Sequence, residues 1–140
     1  MQNSSSSGEL SRPCTNFFGR LTSYAEIARL VDRAAAGLQT LGVKKGTKVG
    51  LLLPNTPTFI IYYYAALKAG GTVVNFNPLY TVEELAFQVR DSETEIMVTL
   101  DLAMLLNLRP ERRERALGLA AAVPEVARRL LALMHDPRVI

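Results

Sequence analysis

The run Val49-Gly50-Leu51-Leu52-Leu53 sets the strongest limit on what this chain can fold into. It is nearly continuous apolar and of strand length, too short for a buried helix. A strand without polar alternation must be covered on both faces, so the run predicts a central strand with parallel neighbours. Helical patterns stand on both sides of it in sequence, joined by short loops. Alternation of that kind argues for an α/β layer with right-handed crossovers.

The helix signals are local and specific. Ser23-Tyr24-Ala25-Glu26 has the S-x-x-E spacing of a capping box. Behind it Ile27, Leu30, Ala34, Leu38 and Leu41 form one helical stripe, and Gly42 closes a helix over about 24–41. After the apolar run, Thr56 is placed to cap a second helix with Pro57 at its first position. That helix runs through Phe59, Ile60, Tyr63 and Leu67 to Gly70-Gly71. Thr72–Asn75 reads as a second strand. Thr81-Val82-Glu83-Glu84 opens a third helix carrying Leu85 and Val89, and Glu95–Leu100 reads as a third strand. Upstream, Thr15-Asn16-Phe17-Phe18 looks like an edge strand entering a turn at Gly19-Arg20. Residues 1–13 are Ser-rich and aperiodic, which predicts a disordered N-terminal tail.

Composition excludes several classes. The 140 residues suit one domain, and 49% hydrophobic with 21% charged residues excludes wholesale disorder. One Cys and one His exclude a disulfide framework and a four-ligand zinc site. The longest apolar stretch, Phe59 to Leu67, is far below bilayer-spanning length, so no transmembrane segment is expected. The first thirteen residues lack the apolar core of a secretory signal. A cytoplasmic setting is the expectation, with peripheral membrane contact left open.

The net charge of +3 is unevenly placed. Residues 1–101 hold four Lys and five Arg against nine acids, whereas residues 102–140 hold seven Arg against four acids. All ten aromatics precede residue 101, and 23 of the last 39 residues are Ala, Leu or Arg. Two helices, about 111–122 and 125–134, are plausible in this Arg-rich C-terminal tail, each with Pro near its start. A charge of +3 with no aromatic platform in the tail is a thin footprint for nucleic acid, which is not an expected partner.

Few residues point to chemistry. Gly42-Val43-Lys44-Lys45-Gly46-Thr47-Lys48 superficially resembles a phosphate loop, but it leaves a helix and enters a strand, the reverse of what anion binding at a helix N-terminus requires. Gly70-Gly71 has the same inverted polarity. Cys14 has no charged neighbour in sequence and reads as an idle thiol. His135 falls in the anomalous tail. Tyr62-Tyr63-Tyr64 winds around a helix and reads as core plus rim. Ligands of open parallel sheets bind beyond the carboxyl ends of the strands. Here that edge comprises Asn55 and Thr56 after the first core strand, and Asn75, Asn77, Pro78, Leu79, Tyr80 and Thr81 after the second. The same residues also serve as ordinary turn and cap formers. No catalytic residue, cofactor-binding residue or metal ligand is assigned.

A family resemblance adds to this. LxxLGVKKGxxVxLLLPN, then LKAGG, then NPLYTxxEL stand in order between Phe17 and Leu102. This stretch, roughly 85 residues, is similar to the N-terminal part of AMP-forming acyl-CoA synthetases, the adenylate-forming ligases. The NPLYTxxEL version is most similar to the long-chain fatty acid branch. The resemblance implies ATP-driven activation of a fatty acid to an acyl-adenylate, transfer to CoA, and magnesium with the ATP. It transfers no catalytic position. No Ser/Thr/Gly-rich phosphate loop of the S-G-T-T-G kind and no Y-x-T-G-D-like string occurs in the sequence.

The expected organisation is therefore a disordered tail over 1–13, a partial AMP-binding N-terminal domain over 14–102, and a helical tail over 103–140 unrelated to the family pattern. The fold class is α/β with a partial, mainly parallel sheet and crossover helices. The tail has two open origins, a truncation or frame change and an evolved extension. The functional reading is a truncated, inactive N-terminal fragment of a long-chain ligase, whose partner would be the missing remainder of the enzyme. The alternative is a small interaction module whose Arg-rich tail binds a partner or acidic surface.

Overall fold

The computed structural model describes residues 5–99. A short helix α1 (Ser5–Leu10) precedes a hairpin of β1 (Pro13–Phe17) and β2 (Arg20–Ser23). Then follow α2 (Tyr24–Thr40), β3 (Lys48–Leu52), α3 (Pro57–Lys68), β4 (Thr72–Asn75), α4 (Val82–Asp91) and β5 (Ile96–Thr99). The expected tail helices, His135 and residue 100 of the third strand lie outside the described residues.

The central strand is where the apolar run puts it. The three-stranded sheet has the order β4-β3-β5, and β3 pairs in parallel with both neighbours. Side chains alternate between two cores. Val49, Leu51, Leu53, Ile96 and Val98 pack with α2 and α3 on one face. Met97, with Leu52 and Val74, packs with Leu85, Ala86 and Val89 of α4 and with Phe76 on the other. The chain thus moves from β3 outward to β4 under α3, then back across β3 to β5 over α4. With right-handed crossovers, a reversal of direction must put the two helices on opposite faces. The expected α/β fold with a mainly parallel sheet is observed.

Helix starts follow their caps unevenly. Thr81 forms the full box: Glu84 N–H donates to Thr81 Oγ1 at 3.3 Å and Thr81 N–H donates to Glu84 Oε2 at 2.8 Å. At α2 the hydroxyl arm forms, with Glu26 N–H donating to Ser23 Oγ at 3.2 Å. The Glu26 carboxylate itself lies 3.9 Å from the Arg20 guanidinium.

Three points refine the sequence reading. First, Ser5–Leu10 are helical within the stretch expected to be disordered. Arg12 N–H donates to Glu9 O, Ser11 Oγ donates to Gly8 O, and Tyr24 N–H donates to Arg12 O, tying the segment to the start of α2. Six residues are too few to display a period. Second, the buried face of α3 is Tyr62, Ala65 and Ala66, continued by Ala69, with Leu67 47% exposed. Phe59, Ile60 and Tyr63 only flank it. Alanines allow α3 to approach Ala34 and Ala35 of α2 closely, and Lys68 Nζ reaches the Asp32 carboxylate across that contact. Third, Thr56 occupies the cap position of α3 but makes no capping bond; its Oγ1 is buried without a partner.

Candidate functional site

Because β3 and β4 are parallel neighbours, the segments that follow them emerge at the same edge. The register pairs Leu51 with Asn75, and Phe76 N–H donates to Leu51 O at 3.0 Å, so the two exits start side by side. From there they diverge. Asn55 and Thr56 lead into α3 on one face, and Asn75 through Thr81 lead into α4 on the other. The strand order β4-β3-β5 reverses at β3, so the crevice expected of an open α/β sheet falls between the carboxyl ends of β3 and β5, beside the β3 exit. Thr99 of β5 joins this edge, its Oγ1 donating to Leu52 O at 3.1 Å. Nothing in the motif pattern singles Thr99 out.

The second exit is a structured turn. Asn77 Oδ1 accepts from Leu79 N–H at 2.9 Å and Asn77 O accepts from Tyr80 N–H at 3.1 Å. Gln88 Nε2 of α4 donates to Asn75 O at 2.9 Å, clamping the strand end from below. These bonds occupy the Asn77 carboxamide oxygen in turn formation, the reading that needs no ligand. Pro78, Leu79, Tyr80 and Thr81 remain exposed, Leu79 and Tyr80 as large apolar surface.

Asn55 and Thr56 belong to a separate concavity. A cleft of about 340 Å³ lies between β1 and the start of α3, lined by Thr15, Asn16, Phe17, Asn55, Thr56, Pro57, Phe59 and Ile60. The Asn75–Thr81 residues do not line it. Thr15 Oγ1 and Thr56 Oγ1, both on its walls, are buried and unpartnered. The contribution of β1 was invisible in sequence, because it comes from forty residues upstream and depends on where the hairpin docks.

The cationic and glycine-rich loops sit at the opposite edge. Lys44 and Lys45 lie between α2 and the amino end of β3, where Gly46 N–H donates to Gly70 O and Thr72 N–H donates to Thr47 O. A Cβ on Gly71 would stand 3.0 Å from Thr47 O and 3.2 Å from Ala66 O, so this glycine serves close backbone packing. Cys14 is half-buried against the larger core. Of the three tyrosines, Tyr62 is buried and Tyr64 exposed, as a helix requires.

Among the described residues no group of three or more His, Cys, Asp or Glu could hold a metal ion. Lys48 has its own partner, Glu93 Oε2 at 2.7 Å, and that ammonium holds the Glu93 carboxyl below its ordinary value by hydrogen bond and charge. No described carboxylate cluster therefore fits magnesium. Nor is any described helix long and apolar enough to cross a membrane.

A parallel sheet with helices on both faces and a reversal of strand order at β3 makes this a doubly wound α/β unit. The sequence pattern of the AMP-binding enzyme family matches residues 4–137, and the chain belongs to that family. It is 44% identical over 87 residues to a long-chain-fatty-acid–CoA ligase of Bacillus subtilis, covering 62% of this chain and 16% of that protein. It is 37% identical over 91 residues to a 4-coumarate–CoA ligase of Humulus lupulus, covering 64% and 17% respectively. Among solved structures it is similar to a Mycobacterium tuberculosis fatty acyl CoA synthetase, with 32% identity and a TM-score of 0.55 over 57% of this chain and 16% of that one. Apo MatB from Rhodopseudomonas palustris matches with 27% identity and a TM-score of 0.68 over 84% of this chain and 21% of that one. The chain spans about one sixth of the length of the curated relatives it matches.

Proposed function

We propose that residues 14–102 are the N-terminal part of an AMP-forming ligase that joins a long-chain fatty acid to CoA through an acyl-adenylate. The observation that carries this reading is the 44% identity to a long-chain-fatty-acid–CoA ligase over 87 residues. The NPLYTxxEL segment at the strand ends adds to it. In this reading the exits of β3 and β4, with Asn55, Thr56, Asn75 and Asn77 to Thr81, form one wall of the ligand crevice. The role of that wall is shape: Asn77 and the Thr81 box hold Leu79 and Tyr80 rigidly at its rim. ATP, magnesium and CoA would be held by groups other than those described, since the described residues hold no metal-type cluster and the sequence no phosphate-loop string. The change of composition after Leu102 favours a boundary there, with 103–140 a separate segment, although the family match itself continues to residue 137.

The 140-residue chain is proposed to be inactive by itself, because its sequence holds no phosphate-loop string to grip a nucleotide. The test has two arms. The purified chain, given magnesium-ATP and palmitate, should show no palmitate-dependent exchange of pyrophosphate into ATP; exchange above background would overturn the claim of inactivity. Residues 14–102 should also replace the matching segment of the Bacillus subtilis ligase with exchange activity retained. A folded chimera that lost palmitate activation would overturn the ligase reading.

A further inference from the structure

The β1–β2 hairpin breaks a local rule at its tip. Phe17 pairs with Arg20 across a two-residue turn, and both turn residues have positive φ, 50° at Phe18 and 86° at Gly19. That is the geometry for which Asn-Gly or Asp-Gly is the unstrained choice. A bulky aromatic in the left-handed region is an outlier that the surroundings must compensate. Here the compensation comes only from the turn's own neighbours, since Phe18 is 95% exposed. Its ring is fixed edge-on against Phe17, with centroids 4.6 Å apart at 71°. The turn itself is held by Gly19 N–H donating to Asn16 Oδ1 at 3.1 Å, and its tip presents the Phe18 ring to the surroundings.

The neighbourhood says what such a ring suits. Leu21, paired with Asn16 one step behind the turn, is 58% exposed, and Phe17 is 38% exposed. From Ser11 to Ala25 the chain carries Arg12 and Arg20 and no acid. The Arg20 side chain is 81% exposed, with only the long contact to Glu26. Phe87 on α4 offers a contrast. It is also well exposed, but it shares its helix with three acids, Glu83, Glu84 and Asp91, against one base, Arg90. An apolar apex beside an exposed cation, whose acidic contact is the long one to Glu26, matches the boundary between headgroups and acyl chains of an anionic bilayer. Its convex shape fits a deformable phase, whereas a protein partner would have to supply a pocket.

We propose that the β1–β2 hairpin tip inserts into the surface of anionic lipid bilayers, with Phe18 and Leu21 entering the acyl boundary and Arg20 held among the headgroups. A single apex of this size gives weak, reversible binding, comparable in kind to one lipid anchor without a second signal. This inference does not depend on the ligase reading.

The test uses the full chain and vesicles of phosphatidylcholine and phosphatidylglycerol in a four-to-one ratio. Phe18→Asn should lower the partition coefficient about tenfold or more, the scale of removing one buried aromatic ring. The same change should leave the thermal midpoint unchanged or higher, since Asn accepts the left-handed conformation. The sequence contains no Trp, so the indole of Phe18→Trp would be the sole reporter, and its emission should shift to the blue on vesicles. Phe87→Asn should leave partitioning unchanged. Unaltered partitioning of Phe18→Asn, an unmoved emission in Phe18→Trp, or an equal loss in Phe87→Asn would each overturn the proposal.

Discussion

Gly50 is the position where one added methyl group should be felt most. A Cβ there would stand 2.7 Å from Phe76 Cε2, 2.9 Å from Thr94 Cγ2 and 3.3 Å from Phe76 Cδ2. Carbon pairs rest at about 3.5–4.0 Å, so the ring must retreat by roughly 0.8 Å. It has little room. Phe76 is buried with Leu85, Ala86, Val89 and Met97, and its amide is bonded to Leu51 O. Thr94 is pinned by its amide to Val89 O and by its hydroxyl to Ser92 Oγ at 2.7 Å. Overpacking of this kind costs about 1–3 kcal/mol. Gly50 has no left-handed φ, so alanine also narrows the unfolded ensemble, which offsets about 0.4–1 kcal/mol. The net expectation for Gly50→Ala is a loss of about 1–2 kcal/mol, or a midpoint lowered by roughly 5–15 °C for a folded unit of this size. Urea unfolding followed by circular dichroism should show an earlier midpoint with an unchanged m-value. Adding Phe76→Leu should recover about 1 kcal/mol of coupling relative to the sum of the single changes. A Gly50→Ala chain as stable as its parent would refute the argument that Phe76 is locked. The same retreat would disturb Asn77, the next residue and the anchor of the exposed turn.

Other outcomes follow from the caps and from the Lys48–Glu93 pair. Thr81→Ala removes one arm of a complete capping box and should cost about 1 kcal/mol. Thr56→Val replaces a buried, unpartnered hydroxyl by a methyl group and should be neutral or stabilising by up to about 1 kcal/mol; equal losses from the two substitutions would contradict the observed caps. The Glu93 carboxyl, lowered by Lys48, adds a small stability above the ordinary carboxylate range. That increment should vanish as pH falls through the lowered value, and it should be absent at all pH in Lys48→Met. Urea midpoints of both proteins across acid pH, at low and high salt, check the sign and the screening.

What the sequence reveals here is governed by how local each determinant is. The α4 box is legible because its two bonds join residues three apart. The central place of β3 is legible because its apolar run leaves no face for water. The α3 stripe is not, because the helix is apolar almost all round and its period is degenerate. Its orientation is decided by which small side chains let α2 approach, a tertiary choice. Strand β2 is hidden for a related reason: Arg20-Leu21-Thr22-Ser23 is polar and short, and pairs only because the turn at Phe18-Gly19 folds it back. At the candidate site, topology brings the predicted exits to one edge, as the α/β pattern implies. The cleft at Asn55 and Thr56 draws its other wall from Thr15, Asn16 and Phe17, and no local pattern encodes that meeting.

The strand order also bears on synthesis. Since β3 is the middle strand yet comes first of the three, it leaves the ribosome before either neighbour exists. Thr99, its partner at Leu52, is added 47 residues later. At about 5–20 residues per second, the edge awaiting β5 stays open for roughly 2–10 s. During that interval β4 can pair on one side only, so the nascent chain carries an apolar half-sheet that nothing in its own sequence can yet close.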